Sequence, residues 1–430
     1  MQTGNSFGLV GYVRRIVDDE LDALFPHLPA ILIDGPKAVG KTATALQRAN
    51  TVHRLHRPQE RAIAAADPEL LLVGQSPILI DEWQYVPSVW DAVKTAADEN
   101  RVGGRFLLTG SIPAVGTHSG AGRITAVRLR PLTLPERGVS TPTVSLRDLL
   151  SDDPIRVQGR CDLGLGEYTD LILASGFPGF QQLSGAPLEK QLNGYLARIV
   201  DADMREAGSK HRRPASIMAW LRAYAAATAT TASWEKIRNA TAAIGDDTPS
   251  RKSAAPYIDV LTRLRILDEV EAWRPGRNHL GALMQTPKHF LADPALAARL
   301  TRMTKAKLLR GEGARLVPRD GTYLGALFES LAALTLLVFA EANGASVFHL
   351  RTSRGDHEVD FIVERADGRV LAVEVKLANA PISSDTRHLT WLRDVLGDDL
   401  IGSVIVNTGN TAYTRPEDGI SVVPLGLLGP

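Results

Sequence analysis

Four short apolar stretches punctuate the first third of the chain: Ala30–Ile33, Ile78–Ile80, Phe106–Leu108 and the β-like Ile124–Leu129. Runs of this length, ended by polar residues or glycine, fit strands buried on both faces of a parallel sheet. Between them the period lengthens. Val13, Ile16, Val17, Leu21 and Leu24 predict a helix over 11–28, and the breaker-free stretch 43–49 predicts a second. Residues 50–76 read as a mixed αβ segment. The Pro/Ser/Thr-rich run 131–145 then closes this region near residue 150.

Beyond it the pattern turns mostly helical. A tight bend at Gly176-Phe177-Pro178-Gly179 precedes an amphipathic stretch over 190–207. Helical patterns follow at 216–228, 233–243 and 251–265, and then the strand-like Ile266–Trp273. Three helices and a strand in this span outline a winged helix. Lys210, Arg212, Arg213, Arg251, Lys252 and Arg263 lie in or near it. Such a module binds DNA through its third helix or serves only as a packing unit; the missing aromatic interleaving weighs against DNA contact here. A basic helix over 302–310 leads into a Gly/Pro-rich linker at 311–321. Then come an apolar helix, Leu324–Ala342, a strand at 346–350, a hairpin, a helix over 384–396 and a strand at 401–406. The expectation is an α/β chain in three parts: a parallel-sheet domain over 1–150, a helical and winged-helix region over 151–310, and a C-terminal α/β domain over 311–430.

Candidate chemistry sharpens the first part. The strand at 30–34 runs into Gly35-Pro36-Lys37-Ala38-Val39-Gly40-Lys41-Thr42-Ala43, with the pattern G-x-x-x-x-G-K-T between strand and helix. Glycines at 35 and 40 let successive N–H groups point inward as an anion nest, backed by a helix N-terminus. Lys41 supplies an ammonium for the β- and γ-phosphates, and the Thr42 hydroxyl can ligate Mg²⁺. These nine residues are therefore the expected nucleotide cradle. The run ending in Asp81-Glu82 fits its partner strand, Asp81 holding magnesium and Glu82 polarising the attacking water. Strands often end in acids, so the pair is informative because it follows Lys41. Thr109 or Ser111, after the third apolar run, can reach the γ-phosphate or simply cap a turn. Arg123 can stabilise phosphoryl charge, from within the chain or from a neighbouring subunit, or be a surface arginine.

The C-terminal hairpin carries a second set. It runs from His357 to Glu364, turns at Ala366-Asp367-Gly368 and returns from Val370 to Leu377. A three-residue loop with Gly368 left-handed pairs Arg365 with Arg369 and sets Asp360 opposite Glu374. Asp360 and Glu374 can then hold one or two divalent metals, with Lys376 positioning a nucleophile and Glu329 completing the set. The plainer reading is an amphipathic hairpin whose acids and lysine pair across the strands.

Composition sets the outer bounds. Hydrophobic residues at 44% and charged residues at 23% are ordinary for a soluble globular protein. A net charge of +1 gives no global pull toward nucleic acid or membrane, so any such surface is a local patch. The single cysteine, Cys161, excludes an internal disulfide and a cysteine zinc cluster, which suits a reducing cytoplasm. The first residues show no signal-peptide h-region, and no window is expected to span a membrane.

With these motifs in place, the chain resembles a prokaryotic family of AAA-type ATPases with a C-terminal domain similar to PD-(D/E)XK nucleases. The resemblance rests on Tyr12-Val13-Arg14-Arg15, the 35–42 loop, ILIDEWQ at 78–84, LLTGS at 107–111 and AGRI at 121–124. It continues in GFPGF at 176–180, Arg351, EVDFIV at 358–363 and VEVK at 373–376. It implies ATP and Mg²⁺ at Lys41, Thr42, Asp81 and Glu82, and a nuclease-like core at Asp360, Glu374 and Lys376. Lys37 stands where the family commonly shows arginine. Two functions follow: an ATPase whose nuclease-like domain engages DNA or RNA, as in defence, repair or toxin systems, or an ATP-binding switch with a silent C-terminal module that binds protein or DNA. AAA-type sheets commonly place the site near a subunit boundary, which implies a homo-oligomer. A small-molecule kinase fits poorly, because Glu82 beside the magnesium aspartate favours water as nucleophile.

Overall fold

The structure, a computed structural model, describes residues 11–110, 122–153, 155–204, 214–242, 251–274, 286–310, 323–352 and 355–430, the side chains of 251–254 excepted. Strands β1 (Ala30–Asp34), β2 (Thr51–Arg54), β3 (Ile78–Asp81), β4 (Phe106–Gly110) and β5 (Ile124–Arg128) form one parallel sheet in the order β2-β3-β4-β1-β5. The apolar runs are continuous because both faces are covered. Ile31, Ile33, Leu79, Leu107 and Val127 point into the largest core, while Ala30, Ile78, Ile80, Phe106 and Leu108 pack with Trp83 and Trp90 on the other side. Parallel pairing brings the strand ends together. Asp34 aligns with Gly110 and Arg128, and Asp81 aligns with Thr109.

The C-terminal sheet is larger than the hairpin predicts. Strand β6 (Val144–Ser145) pairs with a short final strand, while β7 (Gly159–Arg160) joins β8 (Ser346–Arg351), β9 (Glu358–Glu364), β10 (Val370–Lys376), β11 (Leu400–Asn407), β12 (Thr411–Thr414) and β13 (Ser421–Pro424). The final strand, β14 (Leu428–Gly429), runs parallel to β6. The seven-stranded order is β7-β12-β13-β11-β10-β9-β8. Strands β8, β9 and β10 form an antiparallel meander, and the helix Ser383–Leu396 returns the chain so that β11 lies parallel to β10.

The turn follows its sequence. Gly368 is left-handed at φ 86°, and the Arg365 N–H donates to the Arg369 carbonyl at 2.9 Å. The β9–β10 register, Val373 opposite Phe361, carries on to set Asp360 beside Glu374. Neither face of this hairpin is left to solvent. Phe361, Val363, Leu371 and Val373 join the largest core, and Ile362, Val370 and Ala372 pack against Leu389 and Leu392.

The helix Tyr323–Ala342 lies where the apolar pattern predicts it and departs from expectation only in reaching the length and apolarity of a membrane span. At 20 residues it is long and apolar enough to cross a membrane, yet 78% of its most apolar window is buried inside the protein. It is hydrophobic all round because it is enclosed: Phe328, Leu331 and Phe339 sit in the same core as Ile31 of β1 and Phe361 of β9.

Other boundaries moved. The first helix is Ile16–Leu24, and Val13 is exposed. Tyr12 lies outside the helix, its hydroxyl donating to Asp18 Oδ2 at 2.7 Å. The helix after the glycine loop is Lys41–Leu46. The described part of 190–207 falls in the helix Gly185–Arg198 and a π-helical turn, Ile199–Asp203. Helices Pro214–Ala226, Trp234–Ala242 and Arg251–Arg263 occur where the period places them. The stretch 266–273 makes isolated bridges rather than a full strand, Leu267 with Leu291, Val270 with Lys288 and Ala272 with His349 of β8. Ser111, Lys210, Arg212, Arg213 and the 311–321 linker lie outside the described residues, as do the side chains of Arg251 and Lys252.

Candidate nucleotide site and carboxylate cluster

The loop after β1 has the backbone its sequence demands. Gly40 is at φ 106° and Ala38 at φ 64°, so the chain curls twice through the left-handed region between Gly35 and Lys41. Gly35 is required by contact: a Cβ there would lie 2.3 Å from the Leu129 carbonyl oxygen. Lys41 is buried, its Nζ donating to the carbonyls of Gly35 at 2.8 Å and Pro36 at 2.9 Å, and burial pulls the ammonium down to about 8. Its charge is thus held over the concave side of the loop.

Thr42 Oγ1 donates to Asp81 Oδ1 at 2.6 Å, and Thr109 Oγ1 donates to the same oxygen at 2.5 Å. The parallel register β1-β4-β3 produces this convergence. Glu82 follows at φ 59°, turned out of the strand, with Gln84 Nε2 donating to its Oε2 at 2.5 Å. A half-buried Thr42 beside a buried Asp81 at an anion nest matches the oxygen donors that magnesium prefers. Pro36, Lys37, Ala38, Val39 and Ala43 complete the loop and the start of its helix.

Arg123 is not brought to this loop. It precedes Ile124, which pairs with Ala30 at the opposite end of the strands, and its Nε donates to Asp98 on the surface at 2.8 Å. Five residues at about 3.3 Å each separate it from Arg128 at the loop end of β5.

Several partners of the loop and its strand carried no readable signal. Lys37 pairs with the buried Asp203 of the π-turn at 2.6 Å, and the Tyr195 hydroxyl donates to the Lys37 carbonyl at 3.1 Å. Arg265 donates from Nε to Asp34 Oδ2 at 2.7 Å and is itself left-handed, at φ 61°. Arg128 Nη1 lies 3.8 Å from the same oxygen, and burial brings Arg128 down to about 10. These contacts join the loop to partners up to 231 residues away, so no local pattern encodes them.

The C-terminal set converges around a residue absent from the sequence reading. Lys288 Nζ lies 2.8 Å from Glu329 Oε1, 2.9 Å from Asp360 Oδ1 and 3.7 Å from Glu358 Oε1. Asp360 Oδ2 accepts the Val375 N–H at 3.0 Å, and Lys376 Nζ donates to Glu374 Oε1 at 2.7 Å. Burial, reinforced by the Asp360 charge, pushes both Glu329 and Glu374 up to about 8. Burial alone would raise Asp360 too, but Lys288, Lys376 and the Val375 N–H hold it below its ordinary value. Tested for a divalent metal, these residues do not fit: an ammonium already bridges Asp360 and Glu329. Among the described residues no three histidine, cysteine or carboxylate side chains gather as metal ligands.

Comparison with known proteins divides the chain. A family described as "AAA domain" matches residues 27–137, and domains of unknown function match 165–307 (DUF8612) and 324–428 (DUF4143). The amino-terminal part is thus similar to an AAA-type ATPase domain over residues 27–137. Uncharacterized proteins of Mycobacterium tuberculosis and Mycobacterium bovis are each 25% identical over 86% of this chain and 75% of their own length. The Walker-type ATPase of Pyrococcus abyssi is 15% identical, over 68% of this chain and 99% of its own, with a TM-score of 0.41.

Proposed function

We propose that the chain binds and hydrolyses Mg–ATP at the 35–42 loop and passes the nucleotide state to a restriction-nuclease-like C-terminal domain that engages nucleic acid. The observation carrying the first half is the convergence of Thr42 and Thr109 on one oxygen of Asp81, beside a buried Lys41. Thr42 and Asp81 would hold the magnesium, which neutralises phosphate charge when bound. Lys41 binds the β- and γ-phosphates. Glu82, oriented by Gln84, takes the proton of the attacking water, and Thr109 fixes the Asp81 carboxylate. Arg123, at the far end of the strands, acts only on a neighbour's site in a homo-oligomer.

Glu82→Gln is expected to retain ATP with turnover reduced about 10²–10⁴-fold, the usual contribution of a general base, and Lys41→Ala to lose ATP binding. Wild-type turnover in Glu82→Gln, measured by phosphate release, would overturn the assignment. For the second half, the long helix, three-strand meander, helix and parallel strand order supports a nuclease-like fold, with Asp360, Glu374 and Lys376 on its hairpin. The three middle helices and the 266–273 ladder support a winged helix. ATPase assays with single- or double-stranded DNA and RNA, followed by inspection for cleavage, test this half.

The second reading is an ATP-binding switch whose C-terminal domain is catalytically silent. One observation favours it: the buried Lys288 ammonium between Asp360 and Glu329.

A further inference from the structure

Lys288 enters the carboxylate cluster from outside the C-terminal sheet. Its backbone is clamped in the middle region, its N–H donating to the Val270 carbonyl at 2.8 Å and the Val270 N–H donating to its own carbonyl at 3.0 Å. The next residue is pinned as well, His289 Nδ1 lying 3.0 Å from Glu269 Oε1 and Nε2 lying 2.7 Å from the Ala232 carbonyl. The side chain is 1% exposed and ends between Glu329 of the long helix and Asp360 of β9. No rotamer of a surface lysine has collapsed here: the ammonium was delivered by a fixed backbone into a buried space.

An ammonium is a compact point charge with three donors. Two carboxylate oxygens sit at 2.8 and 2.9 Å from it, the spacing of charge-assisted hydrogen bonds. Magnesium oxygens lie at about 2.1 Å in near-octahedral order. Both oxygens of Asp360 are engaged, one by Lys288 and one by the Val375 N–H. Glu374 Oε2 is buried and has no partner. It faces no second free oxygen of Asp360 with which to share an ion.

We propose that Lys288 is a tethered counter-cation that takes the place of a divalent metal, closing the C-terminal cluster to metal and clasping the middle region to the sheet. The inference rests on the second reading above only in treating the domain as silent, and it is independent of the nucleotide site. With the ammonium removed, and with Lys376 still paired to Glu374, Asp360 Oδ1 and Glu329 are the buried acids that have lost their cation. They then become a site for a divalent ion.

The test uses the full-length, nucleotide-free protein and Mn²⁺ followed by the loss of its free EPR signal. Wild type and Asp360→Asn are expected to take up the same amount. Lys288→Met is expected to gain about one equivalent, which Lys288→Met with Asp360→Asn loses. Its melting temperature, lowered in chelator, should recover in Mn²⁺. A Mn²⁺ ion bound by wild type and lost in Asp360→Asn would overturn the proposal. So would a folded Lys288→Met that binds none. If that variant does not fold, the comparison of wild type with Asp360→Asn still decides. Failure of the silent reading looks different: metal-dependent cleavage of nucleic acid by wild type that Asp360→Asn abolishes.

Discussion

Glu20 and Glu341 line the same small cavity, between the first helix and the end of the long apolar one, with Arg128 and Arg130. Burial first, and the Glu341 charge second, raise Glu20 to about 7. Arg130 favours Glu341, donating to it at 2.7 Å. The sign follows from proton counting: between about 4.5 and 7 the folded protein binds more protons at Glu20 than the unfolded chain. Stability contributed here is present at low pH and is lost as pH rises through 7. Glu20→Gln should therefore match wild type near pH 4 and exceed it at pH 8 in denaturant midpoint. Equal midpoints at both values would refute this. The same scale explains which site residues could be read. Gly35, Lys41 and Thr42 are close in sequence and act through local backbone geometry, so their spacing encodes the loop. Lys288 and Asp203 are single charges on unremarkable segments, and their roles depend on what lies opposite.

At the scale of elements, β1, β3 and β4 were legible because burial on both faces leaves an uninterrupted apolar run. The hairpin was legible down to its register because a left-handed glycine fixes the turn and the turn fixes every pair after it. The ladder over 266–273 was less so: it gains its partners from 288, 291 and 349, not from a neighbouring turn. The long helix shows what composition alone misjudges. Its apolar surround serves a core shared by both sheets, since Leu331 is 1% exposed in the cluster holding Ile31 and Phe361. Leu331→Ala is expected to cost about 2–5 kcal/mol. Chemical denaturation followed by tryptophan fluorescence would measure it, and an unchanged midpoint would show that this core does not join the two sheets.

Across the whole molecule, one half-buried ionic network links the three parts. Arg265 of the middle region holds Asp34 beside the nucleotide loop; Arg130, just past β5, holds Asp268 at 2.8 Å and Glu341 of the long helix. From Asp268 the ladder runs on to Val270, paired with Lys288. Arg265 stays left-handed despite a cost of about 1–2 kcal/mol for a non-glycine residue. Its pairing with Asp34 is the compensating contact. ATP is expected to change hydrogen exchange over 266–273 and 286–291 in wild type. In Arg265→Ala that change should vanish while ATP binding persists. An identical exchange response in both proteins would rule out this route.

The sequence by itself determined the glycine-flanked loop over 35–42, its acidic partner strand and the C-terminal hairpin, because each is written in residues a few positions apart and enforced by backbone geometry. Only the tertiary structure decided which charges meet. It set Arg123 at the wrong end of its strand for its own loop, placed Arg265 and Asp203 on that loop, and put an ammonium where a metal was expected. Such pairings join residues far apart in sequence, and their energies depend on burial, which no local pattern records.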